Sequence, residues 1–331
     1  MRATRVQRDR WFAVLNPISG GGRGLRHRAR IEALLGAAGV PFVLAISEYA
    51  GHIIELARLA AREGFRRFIA IGGDGTLNEL VNGVFSNGRV FSNGGASSGG
   101  GTLSSGGAFS GGLEPSEQLT LALVPVGRGD DWARTHGIPR RLEESVRLVA
   151  AGRSVAHDIG VVDFQRDGGK RLFLNVAGVG FDAYVVEQTR ATRLGPLTYL
   201  AGLLRGFATY VAPRMAVSAD SLHLDERLFV AFAAVGRYCG GGMHVAPGAA
   251  TDDGLLDIVT IGEIGKLELV VNVRRLFDGT LPDYKKVKTV RTARAQVAAA
   301  PPARVQADGE LLGEVPVTFS VLPRAIRVIV P

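Results

Sequence analysis

The chain has 331 residues, a formal net charge of +8 and a pI near 10, enough length for two domains and a field that favours anionic partners such as nucleotides and acidic lipid headgroups. Its single cysteine, Cys239, excludes an intrachain disulfide framework and a multi-cysteine zinc site, and its six histidines show no metal-ligand spacing. No apolar run reaches bilayer length, the basic start leads into no signal-like segment and no nucleic-acid-binding motif is present, so a cytoplasmic protein with peripheral membrane contact at most is expected.

In chain order, Trp11–Leu15 is a predicted strand. Asn16-Pro17-Ile18-Ser19-Gly20-Gly21-Gly22-Arg23-Gly24 then precedes a helical pattern over Leu25–Ala38. Glycine without Cβ lets backbone approach phosphate, and Ser19 and Arg23 add a hydroxyl and a charge; a turn that only solves packing is the competing reading. A strand over Phe42–Ile46 and a helix over Ile53–Ala61 follow.

Phe68–Ile71 runs into Gly72-Gly73-Asp74-Gly75-Thr76-Leu77-Asn78-Glu79, the most informative stretch. A strand that ends in glycines and turns into a helix gathers backbone N–H groups and the positive helix end at one point, where phosphate oxygens bind. Asp74 stands out, because a carboxylate beside phosphate is repelled unless magnesium or a donor accompanies it. Residues 88–117 are dominated by glycine and serine and read as a flexible surface insertion.

The strand Leu121–Val126 leads to Gly127-Arg128-Gly129-Asp130-Asp131-Trp132-Ala133-Arg134. There Arg128 suits phosphate, and the aspartates serve either as caps or as metal ligands. Strands and helices alternate to this point, which predicts an α/β domain with a parallel sheet covered on both faces and ligands at the strand carboxyl ends.

After a predicted helix over Arg141–Ala150 come short strands, among them Val155–Val162, Leu172–Ala177, Leu228–Ala234, Leu256–Ile261, Lys288–Ala293 and Ala295–Ala299, which predict an antiparallel β-sandwich. Val315–Val321 and Ala325–Val330 are strand-like again. The expected domains are 1–140 with 315–331 returning, and 141–314. Candidate polar sites in this half are Asp158, the acidic turn Gly248–Asp257, and Asp308-Gly309-Glu310, where Glu310 is either a base toward a hydroxyl or part of a hairpin turn. Leu194–Phe207, an apolar face flanked by Arg193 and Arg205, is a membrane-facing candidate or a core helix.

Asn16-Pro17-x-Ser19-Gly20, Gly72–Glu79, Pro125-x-Gly127, Asp131-x-Ala133-Arg134 and Asp308-Gly309-Glu310 together resemble the diacylglycerol kinase catalytic-domain family, which includes bacterial lipid kinases and sphingosine kinases. Asn175–Asp182 and Gly236–Ala249 extend the resemblance over nearly the whole chain. It implies a three-layer nucleotide-binding domain of the diacylglycerol and NAD kinase type, followed by the sandwich. The reaction implied is ATP- and magnesium-dependent transfer of the gamma-phosphate to a lipid alcohol, a diacylglycerol or a related glycerolipid or sphingoid base. The alternatives are an NAD kinase-like small-molecule kinase and a non-catalytic nucleotide-binding protein.

In that pattern Asn16, Pro17, Ser19, Gly20, Ser47, Gly72, Gly73, Asp74, Gly75, Thr76, Leu77, Asn78 and the position of Arg128 surround ATP. Asp74, Asp131 and Asp158 arrange catalytic magnesium, while Asp253 with the carbonyls of Ala250 and Leu255 forms a structural magnesium site. Asp308 links the metal network to the active centre, and Glu310 is the base. The implied partner is a lipid at the inner face of the membrane, with a homodimer as a candidate assembly and no nucleic acid. Where the family commonly has Gly-Thr-x-Asn-Asp-Phe-Ala-Arg, this chain has Arg128 and Asp130, a departure that bears on nucleotide placement.

Overall fold

The structure is a computed structural model that describes residues 9–86, 119–166, 168–190, 206 and 209–331. The glycine-serine insertion 88–117 and, apart from residue 206, the segment 194–207 lie outside the described residues. The chain divides into two compact units. Described residues of the first are 9–86, 119–158 and 324–331; the second holds those between 159 and 323.

In the first unit β1 (Trp11–Leu15), β2 (Phe42–Ile46), β3 (Arg67–Gly72) and β4 (Leu119–Pro125) form a parallel sheet in the order β2-β1-β3-β4. The end of β15 (Val317–Ile329) continues it, with Ile326 beside Leu119 and Val328 beside Leu121. β1 is buried throughout, as a central parallel strand with both faces covered must be. The connection from β1 to β2 leaves in one direction along the sheet and that from β2 to β3 in the other. The carboxyl ends of β1 and β3 therefore flank a topological switch point, where open α/β sheets bind ligands.

Helices α1 (Ser19–Ala37), α2 (His52–Arg62), α3 (Asp74–Phe85), α4 (Asp131–Thr135) and α5 (Leu142–Ala151) complete this unit. Gly20, Gly21 and Gly22 at the start of α1 have φ of 63°, 75° and 85°, so the regular helix begins beyond the glycine loop. α5 packs on β4 and α1, burying Leu142, Val146 and Val149 in the sheet's core. This packing explains why the unit runs to Asp158, whereas the change in texture suggested a boundary after residue 140.

The second unit is antiparallel. The long β9 (Leu222–Ala234) pairs through its first half with β8 (Arg214–Ala219) and through its second with β7 (Val176–Gly180) and β10 (Leu256–Gly262). β13 (Arg304–Ala307) and β14 (Glu310–Glu314) extend the β7 side; β11 (Val287–Thr292) extends β10; β12 (Arg294–Ala300) joins β8 to Val317–Ser320 of β15. Phe173, Met215, Val297, Val305 and Phe319 fill the interior. The expected sandwich is the observed architecture, with two differences.

The predicted single strand Leu172–Ala177 is instead β6 (Lys170–Phe173) and β7. Between them the Asp308 carboxylate accepts the N–H groups of Leu174, Asn175 and Val176 at 2.8–3.2 Å, in place of a ladder. The two predicted terminal strands are one, β15, bent where Arg324 takes φ 48° and donates its N–H to Asp158 Oδ1 at 2.6 Å.

α3, which carries Asp74 at its first position, lies against α2 through Gly83, where an added Cβ would stand 2.4 Å from Ile54 O and 2.8 Å from Ala57 Cβ. Gly83→Ala gains about 1 kcal/mol of helix propensity and costs roughly 1–3 kcal/mol of overpacking against backbone that cannot retreat. A lower melting temperature than the parent is expected; an unchanged or higher one means the two helices are not held in this register.

Candidate active site

Three loops converge at the carboxyl ends of β1, β3 and β4, and missing side chains bring them together. A Cβ on Gly20 would lie 2.0 Å from Val126 O, one on Gly24 2.3 Å from Asn16 O, and one on Gly73 3.1 Å from Gly127 Cα. Gly72 is covered by Thr76, whose Oγ1 would be 2.1 Å from an added Cβ. Asn16 ties the first loop to the second, its N–H reaching Ile71 O at 3.0 Å and its Nδ2 donating to Thr76 Oγ1 at 3.2 Å. Ser47, buried at the end of β2, donates its N–H to Leu15 O at 3.0 Å.

Asp74 fastens the second loop to the third. Its Oδ2 accepts the N–H of Asp131 at 3.1 Å and its Oδ1 that of Trp132 at 2.9 Å, so it caps α4 from another segment of the chain. Burial pushes Asp74 above the ordinary carboxylate range, against the pull of these two donors. Asp130 sits in the left-handed region at φ 51°, and its Oδ2 pairs with Arg140 Nη2 at 2.7 Å. Arg140 also donates to Arg128 O at 2.9 Å. The exposed Arg128 guanidinium lies over the first loop, Nη2 2.6 Å from where a Gly21 Cβ would be.

The structure thus gathers Asn16, Gly20, Gly72, Gly73, Asp74, Thr76 and Arg128 around one glycine-lined cradle. Leu77 is core, 1% exposed, and buried Asn78 accepts Asn82 Nδ2 on its Oδ1 at 3.0 Å. Asp131 Oδ1 pairs with Arg134 Nη1 at 2.8 Å, and Asp158 is fully buried.

In the second unit the Glu310 Oε2 accepts from Arg171 Nη2 at 3.1 Å, and Arg171 on β6 is 5% exposed. Asp308 at φ 48° and Gly309 at φ 82° form the turn before Glu310. Gln306 holds that turn, its Oε1 accepting Gly309 N–H at 2.9 Å while its Nε2 donates to Asp182 Oδ2 at 2.7 Å. Burial raises Asp182 to about 6, Gln306 opposing it.

The acidic turn is occupied from within. Asp253 Oδ1 accepts Leu255 N–H at 3.0 Å, and its Oδ2 pairs with the Arg291 guanidinium, which also lies 3.7 Å from Asp257. Burial raises Asp257 to about 6. Among the described residues no group of three or more His, Cys, Asp or Glu side chains is placed to hold a metal. The first-unit cradle fits a nucleotide's phosphates. In the turn at residues 250–255, to which the resemblance assigns a structural magnesium ion, the Asp253 carboxylate is paired with Arg291, which would have to swing away for an ion to bind.

A model of the diacylglycerol kinase catalytic domain matches residues 10–162, and one of the YegS C-terminal NAD kinase beta sandwich-like domain matches residues 175–330. A Pseudomonas fluorescens protein named "Probable lipid kinase YegS-like" is 29% identical, covering 92% of this chain and 90% of its own. A Bacillus subtilis protein named "Diacylglycerol kinase" is 25% identical, over 96% and 95%. A crystal structure of a diacylglycerol kinase from Bacillus anthracis str. Sterne has the same fold, with a TM-score of 0.70 at 18% identity over 98% and 97% of the two chains.

The two family matches take in nearly the whole chain, which belongs to the diacylglycerol kinase catalytic-domain family of bacterial lipid kinases. Kinase activity, the ATP-dependent transfer of a phosphoryl group, is the chemistry of that family.

Arg140, Arg171 and Arg291 are the site residues that sequence reasoning missed. Each answers a carboxylate named from the sequence, but a partner 139 positions away, as Arg171 is from Glu310, leaves no local signal.

Gly20→Ala is expected to destabilise the first unit by about 1–3 kcal/mol, since the new Cβ meets a carbonyl and φ is left-handed, and to weaken ATP binding in calorimetric titration. Full ATP affinity in this variant would exclude the close approach of the two loops. For the acidic turn, magnesium without nucleotide should leave the melting temperature of the parent unchanged. Arg291→Met should lower it by roughly 2–4 °C, and magnesium should then restore part of the loss. A magnesium-dependent rise in the parent would show that the turn takes an ion despite Arg291.

Proposed function

We propose that the chain is an ATP-dependent lipid kinase that transfers the gamma-phosphate to the hydroxyl of a lipid alcohol, a diacylglycerol or a related glycerolipid or sphingoid base. The glycine cradle carries this reading: loops after β1, β3 and β4 packed at backbone contact, with Arg128 above them, at the switch point of a parallel sheet. Relatives matched over nearly the whole chain and named "Probable lipid kinase YegS-like" and "Diacylglycerol kinase" support the acceptor class.

Ser19, Gly20 and Gly72–Thr76 hold the nucleotide's phosphates by backbone N–H groups and hydroxyls, Asn16 setting the Thr76 hydroxyl through its Nδ2, and Arg128 adds a charge-assisted contact. Magnesium bound with ATP would lower the repulsion of the phosphates toward an incoming oxygen. Glu310 accepts the proton of the lipid hydroxyl as its oxygen forms the bond to the terminal phosphorus in line, and the bond to the bridging oxygen of ADP breaks. Arg171 fixes Glu310 Oε2, leaving Oε1 to face the hydroxyl.

No helix among the described residues is long and apolar enough to cross a membrane. The lipid is met by peripheral contact at the inner face of the membrane from the cytoplasm.

Incubation with labelled ATP and a lipid extract, with NAD as a parallel acceptor, tests the reading: a labelled lipid is expected, and label in NAD alone would replace the acceptor. Glu310→Gln should abolish turnover while ATP binding persists. Arg171→Met should lower kcat by roughly 10²-fold, the usual contribution of a placed acid or base, with little change in KM for ATP, and Arg171→Lys should recover part of it. Undiminished turnover in Glu310→Gln would remove Glu310 from the mechanism.

A further inference from the structure

After β10 the chain makes two short helices, α7 (Lys266–Asn272) and α8 (Arg275–Asp278), before β11. Their inner side is anchored: Ile264 and Leu276 pack against the cluster of Val245, Val259, Ile261 and Leu281. The outer side is apolar and exposed. Leu267 is 78% exposed, Val270 63%, Val271 72%, Val273 44% and Phe277 58%, and these are half of the large exposed apolar side chains among the described residues. Single exposed apolar residues are ordinary, but a run of them on one face marks a surface that meets something.

The rim of this face is basic. Lys266, Arg274 and Lys285 are exposed, and across residues 263–288 lysines and arginines outnumber aspartates and glutamates. The nearest acids are answered. Glu268 accepts from Lys286 Nζ at 2.7 Å and from the Tyr284 hydroxyl, and Asp278 Oδ2 pairs with Arg274 at 3.4 Å. Leu267, Val270 and Val271 follow the i, i+3, i+4 spacing of one helical face. Aliphatic side chains with lysine at the edge suit a bilayer surface, whereas protein interfaces are depleted in lysine and rich in Tyr and Trp.

We infer that the outer face of α7 and α8 is the surface by which this protein seats on an anionic phospholipid bilayer, with Leu267, Val270, Val271 and Phe277 entering the headgroup boundary and Lys266 and Arg274 meeting the phosphates. This rests on the lipid-kinase reading, because an acceptor dissolved in a membrane must be reached from its surface. It adds a surface to the candidate Leu194–Phe207, which, apart from residue 206, lies outside the described residues.

The test is co-sedimentation of the full chain with phosphatidylcholine vesicles, with and without phosphatidylglycerol. The parent should bind the anionic vesicles, more weakly as salt rises. The variant with Val270→Ser, Val271→Ser and Phe277→Ser should lose at least roughly tenfold in partitioning, with its melting temperature and ATP affinity unchanged. Lys266→Glu with Arg274→Glu should weaken binding to anionic vesicles only. Parent-like vesicle binding by the serine variant, or a parent that binds no anionic vesicles, overturns the inference. So does a parent dimer that the variant converts to a monomer with vesicle binding intact, since a second copy then covers the face. A short-chain lipid alcohol in detergent micelles separates the readings. If the parent phosphorylates none yet its vesicle binding depends on this face, the kinase reading fails and the surface stands. If micellar turnover persists while vesicle binding ignores the face, only the surface fails.

Discussion

A single carboxylate holds the glycine-lined cradle in shape. Asp74 accepts two backbone N–H groups from the first turn of α4 and so joins the loop after β3 to the loop after β4. A buried carboxylate is costly without donors, and here both are main-chain groups at a helix start, where partial positive charge is fixed. The contact requires the loops to approach to backbone distance, which Gly73 and Gly127 permit: a Cβ on Gly127 would stand 2.7 Å from Gly73 Cα, and one on Gly73 would press on Gly127 Cα at 3.1 Å. Glycines and aspartate in one short motif are thus a single device: the glycines supply proximity and the aspartate converts it into order.

The second unit uses the same chemistry at another Asp-Gly pair. Asp308 draws three N–H groups from Leu174–Val176 and thereby ends β6, starts β7 and fixes the turn that delivers Glu310. Gln306 secures the turn from the other side, tied in turn to Asp182. If Glu310 is the base proposed above, a flexible one would have to lose rotamer freedom at each encounter with substrate. One set by Arg171 and by a stapled turn has lost it on folding.

What was legible in the sequence followed from short-range physics. Strand-to-glycine-to-helix joins, the alternation of the first half and the turn-rich second half specified the fold class, because period, burial and backbone freedom are local properties. The break between β6 and β7 was not legible, since Leu172–Ala177 is apolar enough for one strand and the interruption comes from Asp308, far along the chain. Arg324 was hidden in the same way: its left-handed bend lets one strand serve where two were expected, and Asp158 provides the reason. Leu77 and Asn78 belong to the motif by position, yet their side chains turn inward to the core and to Asn82.

Arg128 and Asp130 show why a departure from a family pattern has to be weighed with its surroundings. Taken alone, a carboxylate in place of an amide beside a phosphate grip adds repulsion of about 4 kcal/mol at 4 Å for an effective dielectric near 20. Asp130 does not act alone, because Arg140 sits on its Oδ2 and cancels most of that field at the source. The same guanidinium donates to Arg128 O, so it also fixes the backbone from which Arg128 reaches across Gly21. With the Asp130–Arg140 pair neutral, the net change at the loop is the cation Arg128 where a hydroxyl would be usual. The cradle is therefore more positive than the family pattern, and its enlarged field falls on the side where a phosphate chain would lie.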